Sequence, residues 1–417
     1  MEREYRFSRK LEALKPSAIR EIFKSLTDPS IIAFAAGNPA PESFPVGEMA
    51  EISSEIFTGM PVTALQYGTT EGYTPLRSAV AARLKDKFGI GRSVAAGDAF
   101  NDTTVIVSGG NQGLELACKA FCNEGDVVIA EDPSFIGALN AFRSNGAVTL
   151  GVPLVRTASG EDDGMDTEAL EELLKKEKNA KLIYVIPTFQ NPAGVTTSLR
   201  KRREIYRLAK KYGVMILEDN PYGELRFDGE DIPTIKSMDE DGIVIYCSSF
   251  SKILSSGMRI GYLCAPEKVM QKIVVAKQVE DVHTNMFFQI LCHKYMTERD
   301  LDGHIDEVRA IYRRKCGIML SALDREMPEE FTFTRPKGGL FIYCELPGCV
   351  DMQEFVKRAL ARKVALVPGT AFTPVAGAPS NAVRMSYSTA SDSRIEEGCR
   401  ILGELAREML AEAREAK

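Results

Sequence analysis

The stretch that decides the fold is I-V-I-Y-C-S (Ile243 to Ser248), then S-F-S-K-I-L-S-S-G-M-R (Ser249 to Arg259), then I-G-Y-L-C-A (Ile260 to Ala265). Two short apolar runs, each of the length of a buried strand, enclose a polar turn. That turn crowds hydroxyls, one lysine and one arginine against the end of a strand, so it can hold a phosphate beside an amine. Ser249, Ser251 and Arg259 can donate to phosphate oxygens, the arginine through its planar fork. Lys252 then stands where a partly desolvated amine can form an imine with an aldehyde. An isolated S-x-S-K match is more often a solvated loop, so the surroundings must carry the reading.

Working outward, short β-branched runs alternate with helical patterns from Thr103 to about Ala265, which predicts strands joined by crossover helices. The strands are expected at Thr103–Ser108, Asp126–Glu131, Ala147–Val152, Lys181–Ile186, Val214–Asp219, Ile243–Ser248 and Ile260–Ala265, seven in one large, mostly parallel sheet. Helices are expected at Asn111–Asn123, Phe135–Ser144, Thr167–Lys178 and Ser198–Tyr212, the last with its serine as N-cap. A long helical stretch follows Pro266. From about Asp302 a smaller α+β region carries strands at Gly339–Glu345, Val364–Val367 and Ala382–Tyr387 and ends in a charged helix. The fold class is therefore α/β, and the expected division is an N-terminal arm over 1–45 packing on the smaller domain, a large domain over 46–300 and a C-terminal domain over 301–417. The arm combines an amphipathic pattern at Ile19–Leu26 with the extended A-A-G-N-P-A-P-E-S-F-P.

Three further segments sit at expected strand ends. Ser108-Gly109-Gly110-Asn111-Gln112 joins a strand to a helix, where glycines admit a ligand to the backbone and the helix start offers N–H groups to phosphate. Glu218-Asp219-Asn220-Pro221-Tyr222 ends a central strand, outside whose carboxyl end ligands bind in open α/β sheets. An aspartate there can keep a pyridine nitrogen protonated, which makes pyridoxal 5'-phosphate an electron sink. Asn191-Pro192-Ala193-Gly194 follows the strand K-L-I-Y-V-I, and Asn191 and Tyr222 could both donate to that cofactor's phenolic oxygen. Each segment alone reads equally as an ordinary turn; their common position is the argument.

Together these residues resemble the fold-type I pyridoxal-phosphate enzymes, specifically the class I/II aminotransferase superfamily, from roughly Ser17 to the final helix. The resemblance makes Lys252 the Schiff-base lysine and proton carrier, pairs Asp219 with the pyridine nitrogen, and places Asn191 and Tyr222 at the phenolic oxygen. Gly110, Asn111, Ser249, Ser251 and Arg259 match phosphate-binding positions, with Gln112 beside them. Phe135 matches the aromatic residue that stacks on the ring, where many relatives carry tyrosine. Tyr67 resembles the tyrosine that reaches the partner's cofactor in a homodimer. Arg384 matches the arginine that clamps the substrate α-carboxylate, and Gly37 a backbone contact to the same group. The segments S-A-I-R-E-I (Ser17 to Ile22), F-A-A-G-N-P-A-P (Phe34 to Pro41) and R-P-K-G-G-L-F (Arg335 to Phe341) bring the chain nearest to the 2-aminoadipate, kynurenine and aromatic aminotransferase branch. There Arg20 is a candidate contact for a distal substrate carboxylate, set against a solvated helix arginine.

The expected activity is ping-pong transfer of an amino group from an L-amino acid (2-aminoadipate, aromatic or branched-chain) to a 2-oxo acid such as 2-oxoglutarate. A Cβ/Cγ lyase of the same fold, or a regulatory relative without useful turnover, stays open on these residues. A related module is fused to a DNA-binding domain in one family of bacterial regulators, and no such domain precedes it here. Composition narrows the partners. With 417 residues, 44% hydrophobic, 26% charged and a net charge of −6, the chain has no basic footprint for nucleic acid. No run approaches the roughly 18 apolar residues of a membrane span, and the polar start, Met1 to Lys10, lacks a secretory pattern. Nine scattered cysteines read as reduced core thiols, and three histidines leave little for a metal site. A cytoplasmic enzyme with small-molecule substrates and no metal is expected.

Overall fold

Strands apolar on both faces need cover on both faces, and the alternation of their side chains shows how this chain supplies it. In the computed structural model, which describes residues 5–8, 11, 28–157 and 162–415, Val127, Ile129, Ile183, Val185, Ile216 and Val244 join one apolar cluster with Leu170, Leu174, Ile205 and Leu208. Their strand neighbours Val128, Ala130, Leu182, Tyr184, Leu217 and Ile245 join another with Leu114, Leu139 and Phe142. The sheet is thus a layer between two sets of helices.

The strands are β1 (Ile32–Ala33), β2 (Asp102–Val107), β3 (Val127–Asp132), β4 (Val148–Arg156), β5 (Asp162–Met165), β6 (Ala180–Val185), β7 (Met215–Asp219), β8 (Val244–Ser249), β9 (Gly261–Pro266), β10 (Thr332–Phe333), β11 (Phe341–Glu345), β12 (Val364–Ala365), β13 (Val367–Pro368) and β14 (Ala382–Ser386). The helices are α1 (Val46–Gly59), α2 (Pro61–Leu65), α3 (Thr74–Phe88), α4 (Gly110–Phe121), α5 (Ile136–Ser144), α6 (Thr167–Lys176), α7 (Leu199–Tyr212), α8 (Glu267–Glu280), α9 (Met286–Glu298), α10 (Leu301–Glu326), α11 (Met352–Ala361) and α12 (Asp392–Glu415). Ser198 caps α7 as expected, its hydroxyl accepting from Lys201 N at 3.3 Å, and Gly213 ends the helix in the left-handed region at φ 69°.

The large sheet has eight strands in the order β2-β9-β8-β7-β6-β3-β4-β5, one more than the seven expected. The addition is β5, antiparallel to β4; its D-D-G-M sequence carries little β signal. Neighbours from β8 through β4 are parallel, whereas β9 runs antiparallel to both β8 and β2. The reason is the connection: Phe250–Ile260 holds no crossover helix, and a parallel return would need one.

The smaller C-terminal domain centres on the antiparallel sheet β10-β11-β14-β13. The expected strand Val364–Val367 is two short strands with different partners, β12 pairing with β1 and β13 with β14. Through β1, the described residues next to it, 31–40, lie on this domain. Ser386 N donates to Phe34 O at 2.7 Å, and Thr389 Oγ1 to Ala33 O at 3.2 Å. The amphipathic pattern at Ile19–Leu26 lies outside the described residues. Among those described, no helix is long and apolar enough to cross a membrane.

Candidate active site

Strands β3, β6, β7 and β8 are mutually parallel, and β2 runs the same way as β8 because each is antiparallel to β9. Their carboxyl ends therefore meet at one edge. Ser108 and Gly109 follow β2, Phe135 follows β3, Asn191 follows β6, Asp219 and Ser249 close β7 and β8, and Arg259 stands just before β9. A cavity of about 310 Å³ opens there, lined by Gly37, Gly110, Asn111, Phe135, Asn191, Asp219, Tyr222, Ser249, Ser251, Lys252, Arg259 and Arg384. Asn38, Leu114, Ile186, Pro221, Ser256 and Phe341 complete it.

One end of the cavity is built for an anion. Ser249 Oγ lies 2.7 Å from Ser251 Oγ and accepts from Ser251 N at 3.0 Å. The start of α4 opens beside them, its first N–H groups lacking intrahelical acceptors. Arg259 donates to Ser256 O at 3.2 Å, and its backbone holds φ 55°, a left-handed conformation uncommon outside glycine. Gly109 has φ 81°, and a Cβ there would run into the Arg259 guanidinium. Backbone of this kind is kept where the surroundings fix it.

The other end is carboxylate and phenol. Asp219 is buried, and its Oδ2 accepts from the hydroxyl of Tyr184 at 2.9 Å. Burial pushes its carboxyl up to about 7, the Tyr184 bond opposing. Tyr222 is buried edge-on to Phe341, ring centroids 5.8 Å apart. Between the ends, Lys252 Nζ donates to Gly37 O at 2.6 Å. Burial, then the cations Arg384 and Arg259, bring its ammonium down to about 8. Arg384 is 3% exposed, with Nη1 on Asn191 Oδ1 at 3.0 Å, Nη2 on Ala35 O at 2.8 Å, and Nε without a partner. Its guanidinium lies 4.3 Å from the Phe341 ring centroid, and burial lowers its pKa to about 10.

Two expected residues stand apart from this cavity. The Gln112 side chain turns away, accepting from Ser108 N at 2.7 Å and donating to Asp281 Oδ2 at 2.7 Å. Tyr67 is 81% exposed and meets the His283 ring edge-on at 5.7 Å. Arg20 lies outside the described residues. Conversely, sequence reasoning overlooked Tyr184, Phe341 and Ile186. Tyr184 left a signal: a phenol inside the aliphatic strand K-L-I-Y-V-I must find a partner for its hydroxyl once buried.

The donor set fits pyridoxal phosphate: hydroxyls, a guanidinium and a helix start for the phosphate, an amine for the aldehyde, and a buried carboxyl short of a cation for the ring nitrogen. Among the described residues, no group of three or more His, Cys, Asp or Glu is placed to hold a metal.

Known proteins resemble the whole chain. The family described as aminotransferase class I and II matches residues 29–402. The aromatic-amino-acid aminotransferase 1 of Thermococcus litoralis is 39% identical over 406 residues, covering 96% of this chain and 94% of that one. The 2-aminoadipate transaminase of Thermus thermophilus is 39% identical, covering 95% and 96%. The crystal structure of an α-aminoadipate aminotransferase of Thermus thermophilus, complexed with N-(5'-phosphopyridoxyl)-L-leucine, superimposes with a TM-score of 0.86 at 38% identity, covering 97% of this chain and 98% of that one. The likeness runs over nearly the whole length of the chain, and on it the chain belongs to the aminotransferase class I and II family and is a pyridoxal-phosphate-dependent aminotransferase.

Proposed function

We propose that this enzyme moves the amino group of an L-amino acid with a 2-aminoadipate, aromatic or branched-chain side chain to a 2-oxo acid such as 2-oxoglutarate, by two half-reactions in ping-pong order. One observation carries the reading: a single cavity of about 310 Å³ holds an amine, a buried carboxyl and a buried guanidinium with an unpartnered Nε. The names of the relatives, which include an aromatic-amino-acid and a 2-aminoadipate enzyme, support the first two of these donor classes.

When bound, pyridoxal phosphate supplies an aldehyde carbon for amines and a ring that draws off the electron pair left at the substrate's α-carbon. Lys252 Nζ takes the proton from that carbon. With a pKa of about 8, its neutral fraction near neutral pH is far larger than that of a solvated lysine. The carboxylate of Asp219 holds positive charge on the ring nitrogen, and Asn191 and Tyr222 hold the phenolic oxygen. Ser249, Ser251, Arg259 and the Gly110–Asn111 turn grip the phosphate, and Phe135 covers the ring. Gly137 leaves Phe135 room, since a Cβ there would meet its ring. Arg384, still charged at neutral pH, takes the α-carboxylate as a bidentate pair with help from Gly37. Held in this way, the substrate would be oriented for proton removal by Lys252.

The active unit is a homodimer in which Tyr67 serves the partner's phosphate. Its 81% exposure, with Val62 and Leu65 of α2 at 75% and 73%, supports a face made to be covered. Nine unpaired cysteines support a reducing compartment, the cytoplasm. The test is the absorbance spectrum of the purified protein with cofactor, followed by anaerobic titration with a panel of L-amino acids. A band near the visible edge that borohydride removes, converted by the named donor classes without ammonia release, is expected. Absence of that band, or ammonia and a 2-oxo acid formed from one substrate without an acceptor, overturns the reading in favour of a non-enzyme or a lyase.

A further inference from the structure

Gln112 is absent from the cavity for a reason: it belongs to a partly buried polar knot behind the phosphate end. Lys277, on α8, is 0% exposed. Its Nζ lies 2.7 Å and 2.9 Å from the two carboxylate oxygens of Asp281, 3.0 Å from Gln112 Oε1 and 3.0 Å from Thr284 Oγ1. Asp281 Oδ2 also accepts from Gln112 Nε2 at 2.7 Å and from Ser108 Oγ at 2.8 Å. Gln112 Oε1 closes the circuit by accepting from Ser108 N at 2.7 Å. The main-chain N–H and the hydroxyl of Ser108 are thereby fixed, immediately before Gly109 and the start of α4. On the other side of the knot, Val282 holds φ 64°, an outlier for a β-branched residue, between Asp281 and Thr284.

We propose that Gln112, Lys277 and Asp281 are positioning residues for the cofactor's phosphate: they lock the Ser108–Gly110 turn in the conformation whose N–H groups face the anion. None touches the cavity. Burying an ammonium such as that of Lys277 is costly unless its geometry is needed, and the hydrogen bonds that the two side chains make beyond each other end on Ser108, Gln112 and Thr284. The inference rests on the reading that Ser249, Ser251, Arg259 and this turn form the phosphate cup.

The experiment compares two ligands on apoenzyme, pyridoxal 5'-phosphate and pyridoxal, which differ only in the phosphate. Dissociation constants come from absorbance titration, and the melting midpoint of each apoenzyme checks folding. In Lys277→Met, and in Gln112→Met, which keeps the side-chain volume while removing its hydrogen bonds, the preference for the phosphorylated ligand falls about tenfold or more, with pyridoxal affinity nearly unchanged. If Lys277→Met fails to fold, Gln112→Met carries the test. A folded Gln112→Met with the wild-type preference, or with equal losses for both ligands, overturns the proposal, the latter because a merely structural role weakens both alike. Arg259→Ala separates the two readings. If it loses the preference while Gln112→Met keeps it, the cup stands and the positioning role falls; if it keeps the preference, the cup itself is misplaced.

Discussion

Replacing Arg384 is the sharpest probe of substrate binding. The guanidinium is 3% exposed, with its forked end pinned by Asn191 Oδ1 at 3.0 Å and Ala35 O at 2.8 Å. An α-carboxylate arriving there would complete its hydrogen bonding, which now leaves Nε unpaired. Arg384→Met removes two charge-assisted bonds to the substrate, each worth about 1.5–3 kcal/mol, so roughly 3–6 kcal/mol in all. At about 1.4 kcal/mol per factor of ten, kcat/KM for the first half-reaction should fall on the order of 10² to 10⁴. Arg384→Lys keeps a charge but lacks the planar fork that matches a carboxylate, so its loss should lie nearer 10- to 100-fold, an order-of-magnitude expectation. Stopped-flow absorbance over a range of amino-acid concentrations measures the half-reaction, and the resting cofactor band confirms that the site is otherwise intact. The internal control is the amine lacking the α-carboxylate, whose slow reaction should hardly change. A drop of less than about tenfold in Arg384→Met, or equal losses for amino acid and amine, would refute the assignment.

Three other outcomes follow from the same geometry. In apoenzyme, Lys252 has a folded pKa of about 8, below its ordinary 10.5. Between those values the unfolded chain binds a proton that the folded one does not, so stability should rise with pH across that window, and Lys252→Met should flatten the rise in denaturation profiles. Asp219 has the opposite sign: raised to about 7 from 3.8, it makes apoenzyme stability fall as pH climbs through that interval. Tyr184→Phe removes its hydroxyl donor and should carry the fall to higher pH; an unchanged profile would separate Tyr184 from Asp219. Gly109→Ala places a Cβ against Arg259 at φ 81°, and strain of about 1–3 kcal/mol should lower the apoenzyme melting midpoint and weaken cofactor binding in titration.

The parallel strands were legible because burial on both faces leaves near-continuous apolar runs, and their ends were legible because polar residues crowd where such runs stop. That is why Asp219, Asn191 and the Ser249–Arg259 turn could be placed from local sequence and are found lining one cavity. β5 was invisible, since it is held by pairing with β4 rather than by its own composition. The direction of β9 was legible only from connection length. Gln112 misled because the sequence position beside a phosphate turn does not say which way a side chain points; Lys277 and Asp281, some 170 residues away by the separations of their hydrogen bonds to Gln112, decide it.

The site divides its labour between two bodies of structure. In the proposed reading, cofactor chemistry belongs to the sheet edge, whose hydrogen-bonded strands hold Asp219 and Ser249 in register. The proposed grip on substrate is built elsewhere. Arg384 stands in β14, opposite Tyr343 of β11 and Val367 of β13, and it reaches the segment that carries Ala35 and Gly37. That segment is tied to the same domain by Ser386 N on Phe34 O, Ser388 Oγ on Asn38 O at 2.6 Å and Ala40 N on the Tyr312 hydroxyl at 3.0 Å. Among the described residues, two hydrogen bonds, Lys252 Nζ on Gly37 O and Arg384 Nη1 on Asn191 Oδ1, join the two bodies within the cavity, beside the edge-on contact of Tyr222 with Phe341. Both hydrogen bonds use atoms that substrate and cofactor would engage, so ligand binding exchanges them for new ones. A substitution loosening the C-terminal domain should therefore raise KM for the amino acid before it weakens the hold on pyridoxal phosphate, whereas one at the sheet edge should act in the reverse order.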